Sequence, residues 1–216
     1  MPNFDLQTII ASVPALLIGF AFHEFAHAYV ADRLGDPTPR SQGRLTLNPL
    51  VHLDLFGTIM ILFYHFGWAK PVQTNPSYFK VGPVKGRMYV SIAGPLMNLV
   101  IAFVGFLLGT IVLQFIQDPA LSSAMQSIFF WIIWINLSLG VFNLIPIPPL
   151  DGFAVLTGLL PDQYARKLWE IERYGMIILV IVLFTGIFGK ILTPAVNGLF
   201  DLYSSIVHVI LGPFLG

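Results

Sequence analysis

The sequence predicts an all-α polytopic membrane protein with about four to six transmembrane helices, a re-entrant hairpin and a short extended edge near the candidate site. Three observations predict it. Of 216 residues, 56% are hydrophobic and only 10% are charged, where a soluble domain carries about a quarter. Mean hydropathy is +0.80. Several apolar runs reach the ~20 residues that a bilayer crossing requires. No stretch reads as a separate water-soluble domain, so residues 1–216 are expected to form one membrane domain, with a core over 6–160 and C-terminal helices over 174–216. Net charge is zero and the basic residues gather near the ends of apolar runs, which leaves no nucleic-acid footprint. Cysteine is absent, so disulfides and thiolate metal sites are excluded. The start, MPNFDLQTII, lacks the basic region of a cleaved signal peptide, and its apolar run is expected to stay.

The first span runs from Leu6 to Ala31 and is ended by Asp32, Arg33, Leu34 and Gly35, with Gly35 suited to a C-terminal cap and Pro37 unable to continue the helix. Inside it lie His23, Glu24 and His27, an H-E-x-x-H motif. Residues four apart share a helix face with about 5–6 Å between Cβ atoms. Two imidazoles so placed can bind one metal ion with the glutamate beside it. Typical residue usage makes a chance occurrence rarer than ~1 in 100 chains of this length. A solvated face is the bland alternative, but the flanks are Leu16, Leu17, Ile18, Phe20, Phe22, Phe25, Ala26 and Ala28. An ionisable group at that depth costs ~2.5–3.5 kcal/mol unless paired or liganded. A catalytic zinc takes three protein ligands and keeps a fourth position for water, so a third donor should return to this depth from downstream.

Arg33, Arg40 and Arg44 follow the first span, and short basic loops stay in the cytoplasm. This end is therefore inside and the N-terminus outside. Hydropathy alone would make Leu50 to Phe66 a second span. Crossing would put Lys70, Lys80, Lys85 and Arg87 outside, although that is the most basic stretch of the chain. The run is also short and carries His52, Asp54 and His65. It reads instead as a re-entrant or interfacial hairpin that enters and leaves on the cytoplasmic side, as protein or a water-filled cavity permits. The loop from Gly67 to Pro83 is rich in Pro, Gly and aromatics, with Trp68 and Tyr78 suited to an interface. Ala69 to Thr74 reads as extended. Such an edge could pair with an unwound peptide by strand addition, or be an ordinary interfacial loop.

Met88 to Gln117 is the next span, running outward. Gly94 permits close helix contact, Pro95 loosens the backbone ladder, and Asn98 is a buried amide that needs a partner. Asn98 either packs helices or lines the site. Ala124 to Ile145 comes back inward carrying Asn136 and Asn143, and delivers the chain to Pro146-Ile147-Pro148-Pro149-Leu150-Asp151-Gly152. A proline break at membrane depth is tolerated around a cavity or against protein. Asp151 is the best candidate for the third ligand, because a carboxylate there is costly without a partner. Its alternative is to cap the helix that starts at Gly152. Pro161 to Arg173 is polar and inside. Tyr174 to Leu192 is a fourth span with Lys190 at its outer end, able to snorkel. Thr193 to Gly216, with Asn197, Asp201 and His208, either crosses again or lies on the surface, and His208 is an alternative ligand or an interfacial histidine.

HEFAH in a membrane helix, GPLMN in a later one, and N-x-x-P-x-P-P-L-D-G at the end of another resemble the site-two protease family of intramembrane zinc metalloproteases. The motifs stand in the family's order from Gly19 to Gly152. The resemblance implies His23 and His27 as zinc ligands, Glu24 as catalytic base and Asp151 as third ligand. It places Asn143 on an asparagine thought to assist near the substrate carbonyl, and Asn98 on the polar position of the GPLMN-type motif. Pro146 and Pro148 to Pro149 lengthen the gap between Asn143 and Asp151 relative to the tighter N-P-D-G form. With neither a regulatory domain nor a helix before HEFAH, the chain resembles the short bacterial or archaeal form.

The implied activity is hydrolysis of a peptide bond within or near the transmembrane segment of a membrane protein, as in regulated intramembrane proteolysis. The expected partners are membrane lipid and a single-span client, anti-sigma-factor-like or signal-peptide-like. The expected location is a prokaryotic cell membrane with the site nearer the cytoplasm. The rival is a non-proteolytic metal-binding scaffold or transporter, whose ion path would also use buried acids and histidines. Such a path needs ligands but no base, which makes Glu24 the discriminating residue.

Overall fold

In the computed structural model, residues 6–54, 57 and 69–215 are described, and the statements below concern them. The protein is an all-α polytopic membrane protein. Four helices are long and apolar enough to cross a membrane. Helix α1 spans Leu6–Arg33, followed by the short turns α2 (Thr38–Ser41) and α3 (Pro49–His52). A 3-10 turn at Pro76–Tyr78 leads to α4 (Pro83–Gln114), which is paired with α5 (Pro119–Asn143). Then come α6 (Asp151–Leu159), α7 (Asp162–Glu172), α8 (Gly175–Phe184) and α9 (Ile187–Leu215).

Helix α5 starts where its sequence supplies a cap. Asp118 accepts from the Leu121 amide at the start of α5, and Pro119 takes the first helical position, where its missing N–H is no loss. The end of α1 is Gly35, at φ +108°. A left-handed residue there lets the Asp36 amide reach back to Ala31 O at 3.0 Å, which satisfies a carbonyl of the last turn. Beyond it, Asp32 holds Arg40 in a two-pronged pair at 2.9 and 2.8 Å, which raises the guanidinium pKa further.

Helix α1 packs against both α4 and α5, and α4 packs against α5 and α6. Close approach is possible because α1 buries small residues, among them Ala11, Ala15, Ala21, Ala28 and Ala31. Toward α9 the core is larger: Ala102, Ile133, Leu137 and Val196 are buried together, with Phe106 and Phe200 edge to face at 4.8 Å. Phe188 meets Phe142 while Phe200 meets Trp134, so α9 runs antiparallel to α5. Crossing by all four long helices would bring the two ends of the described chain to one side.

The segment predicted as a re-entrant hairpin, Leu50 to Phe66, lies largely outside the described residues. Its first residues and the stretch after Trp68 do not. Leu53 and Ala69 form an antiparallel bridge, and the Lys70 amide donates to His52 O at 2.8 Å. The chain leaves and returns at one place. Among the described residues this bridge is all the strand pairing that the extended edge makes. Trp68 and His65 also fall outside them.

The predicted fourth span needs correction. Tyr174 to Leu192 is not one helix: it breaks at Thr185-Gly186, where Gly186 sits at φ +70°. The first piece, α8, has 10 residues and is only ~15 Å long, half of a ~30 Å hydrocarbon core. The fourth crossing is instead Ile187–Phe214, which joins the two C-terminal stretches that hydropathy had separated. Apolarity is continuous through Phe184-Thr185-Gly186-Ile187, so a hydropathy window cannot register a break that rests on one glycine's backbone.

Candidate metal centre

One face of α1 carries the site. His23, Glu24 and His27 are each 8% exposed or less, in the inner half of a helix whose neighbours are apolar. The third arm arrives from α6. Between α5 and α6 the chain folds back through residues 144–150, and Pro146, Pro148 and Pro149 contribute no amide that the break could leave unmatched. Gly152 passes so close to the end of α5 that a Cβ there would lie 2.2 Å from Leu144 O. This tight return sets Asp151 as the first residue of α6. Leu150, not Asp151, occupies the cap position, and no side chain caps this helix. The capping alternative therefore fails.

Asp151 Oδ2 lies 3.2 Å from His23 Nε2 and 3.3 Å from His27 Nε2, and the two Nε2 atoms are 2.9 Å apart. The opposite ring nitrogens are committed elsewhere. His27 Nδ1–H donates to Val90 O at 2.7 Å, and a carbonyl can only accept. His23 Nδ1–H donates to Asn98 Oδ1 at 2.6 Å. Both Nε2 atoms then present lone pairs toward a carboxylate oxygen. Three acceptors converging within 3.3 Å repel one another unless a cation stands among them. Tetrahedral zinc with bonds of about 2.0–2.1 Å spaces its ligand atoms about 3.3 Å apart, so the donor set fits that ion. Among the described residues this trio is the one group that could hold a metal. His208, the alternative ligand, lies on the exposed surface of α9.

Space for the rings comes from α4. A Cβ on Gly94 would fall 2.5 Å from His27 Nε2 and 2.7 Å from His23 Cε1. Asn98, one turn further along α4, is fully buried. Its amide nitrogen donates to Gly19 O at 3.1 Å and to Asn136 Oδ1 at 2.9 Å. The reading of Asn98 as a site-lining residue is met at one remove: it holds a histidine. The sequence assigns Asn136 no role. The signal available was its spacing, seven residues or two turns before Asn143 on α5.

Asn143 hydrogen-bonds within its own helix. Its amide donates to Leu139 O of its own helix at 3.0 Å. Glu24 faces the loop at residues 69–75: Val72 N–H donates to Glu24 Oε2 at 2.8 Å. That loop is pinned by buried Arg44, which donates to Val51 O, Lys70 O and Pro71 O. Asp36, also buried, accepts from the Asn75 amide at 2.6 Å. A cavity of about 370 Å³ lined by Gln42, Arg44, Lys70, Pro71 and Gln73 opens beside it.

Comparisons with known proteins agree with this geometry. The model of peptidase family M50 matches residues 11–117 and 107–187. YwhC of Bacillus subtilis is 41% identical over 214 residues, covering 98% of this chain and 97% of its own. Rip2 of Mycolicibacterium smegmatis is 32% identical over 208 residues, 93% of this chain and 76% of that protein. MJ0611 of Methanocaldococcus jannaschii is 33% identical over 159 residues, 72% and 73%. All three are named "putative zinc metalloprotease". No solved structure matches the chain.

Proposed function

The chain belongs to peptidase family M50, and we propose that it is a zinc metalloprotease that cuts a peptide bond within or near the membrane-spanning segment of another membrane protein. One observation carries the proposal: two imidazole nitrogens and a carboxylate oxygen converge within 3.3 Å, buried among spanning helices, with a glutamate on the adjoining position. His23, His27 and Asp151 hold the zinc. Bound there, zinc supplies a Lewis acid for a carbonyl oxygen and lowers the pKa of a water toward ~7.

The remaining work falls to the chain. Val72 N–H occupies one oxygen of Glu24, which orients the carboxylate and leaves its second oxygen to take the proton of the attacking water. Glu24 then returns that proton to the leaving amine. Asn143, with one amide hydrogen on Leu139 O, has a second to donate to the developing oxyanion. A helical substrate hides its carbonyls in its own hydrogen bonds and must unwind before attack. The Arg44-pinned loop beside Glu24 would hold the extended segment. The client is a single-span membrane protein; the basic flanks support a site nearer the cytoplasmic side, and the likeness to bacterial and archaeal relatives supports a prokaryotic cell membrane.

The test is purified protein in lipid with model single-span substrates. Glu24→Gln should retain zinc and lose cleavage by ~10²–10⁴-fold, the usual worth of a positioned acid–base group. Full zinc loading with unchanged wild-type and variant behaviour toward every substrate, none cut, would favour the metal-binding scaffold or transporter instead.

A further inference from the structure

We propose that Asn136 is a positioning residue for the metal centre, acting through Asn98 to keep His23 in its ligating tautomer. The inference rests on the reading of His23 as a zinc ligand. Asn98 and Asn136 are both fully buried, yet neither touches the converging donor atoms. They form a relay across three helices: Asn136 Nδ2 donates to Ile132 O at 2.8 Å, Asn98 Nδ2 donates to Asn136 Oδ1 at 2.9 Å and to Gly19 O at 3.1 Å, and His23 Nδ1 donates to Asn98 Oδ1 at 2.6 Å.

The direction of this relay is fixed at its ends. An amide can turn over and exchange its donor and acceptor, and a turned Asn98 would offer N–H to His23 Nδ1. The imidazole proton would then sit on Nε2, where the ligand lone pair belongs. Two backbone carbonyls prevent it, because Ile132 O and Gly19 O only accept. Ile132 O sets Asn136 with its nitrogen toward α5 and its oxygen toward Asn98. Asn136 Oδ1 and Gly19 O together then claim both amide hydrogens of Asn98, leaving its oxygen for His23. Without Asn136, one Asn98 hydrogen is left buried and unmatched, and the preference for the ligating orientation weakens. Partners of ligating histidines typically carry 10–100-fold in metal affinity.

The experiment is a zinc competition titration of detergent-purified protein against a chromogenic chelator, with melting temperature followed in parallel. Asn136→Leu should bind zinc about tenfold more weakly than wild type, and Asn98→Leu at least as weakly. The double variant should be no weaker than Asn98→Leu alone, because Asn136 acts only through Asn98. Asn136→Asp, which when protonated presents a carbonyl to Asn98 and an O–H to Ile132 O, should stay within about threefold of wild type. Wild-type affinity in Asn136→Leu, or losses that multiply in the double variant, would overturn the relay while leaving the zinc site intact. Absence of zinc binding by wild type, or undiminished binding by His23→Ala, would overturn the relay together with the metal centre.

Discussion

Replacing Gly94 with alanine should damage the metal centre without touching a ligand. The added Cβ would lie 2.5 Å from His27 Nε2, 2.6 Å from its Cε1 and 2.7 Å from His23 Cε1. Non-bonded atoms of this kind settle at about 3.5–4.0 Å, so either α4 or both rings must give way by about 1 Å. Overpacking on that scale costs about 1–3 kcal/mol. If the rings yield, the cost falls on ligand geometry, and at 1.4 kcal/mol per decade zinc affinity drops roughly 5- to 150-fold. The control is Gly198→Ala on α9, where a Cβ meets nothing within 4 Å and helix propensity favours alanine by ~0.5–1 kcal/mol. Chelator competition on both variants, alongside melting curves of the zinc-free proteins, separates the two ways the clash can be relieved. Gly94→Ala that binds zinc within twofold of wild type and also keeps the wild-type melting temperature would refute the reasoning.

Two further predictions follow from the loop and the topology. Arg44→Gln strips donors from Val51 O, Lys70 O and Pro71 O, at about 1–3 kcal/mol for the carbonyls left unmatched, and limited proteolysis should begin within 69–75; an unchanged digestion pattern and melting temperature would count against the pinning. Because the chain has no cysteine, single cysteines can report topology cleanly. Those near Lys80 and Asp162 should label from one side, and those near Pro119 and Pro213 from the other. Labelling of all four from one side would contradict four crossings.

Much of this was legible in the sequence because membrane solvation is unforgiving. A His-Glu pair at His23-Glu24 and a carboxylate at Asp151 stand out in apolar surroundings, and only liganding or pairing makes them tolerable. The cap at Gly35 and the close helix approach at Gly94 follow from residue type. What the sequence hid was backbone and amide direction. The break at Thr185-Gly186 depends on one left-handed glycine inside an unbroken apolar run. Asn136 and Asn143 look alike as amides within an apolar span, and only the fold shows that the first reaches Asn98 while the second bonds back to Leu139. The grip of Val72 on Glu24 is a main-chain contact, invisible in any pattern of side chains.

Everything rests on an early imidazole pair and a distant carboxylate sharing one ion. Metal analysis of Asp151→Ala, purified beside wild type after equilibration with limiting zinc and a chelator, tests this most directly. The account predicts about one zinc per wild-type chain and a large loss in the variant, three protein ligands being the usual number at such a site. Equal zinc in the two proteins would contradict it.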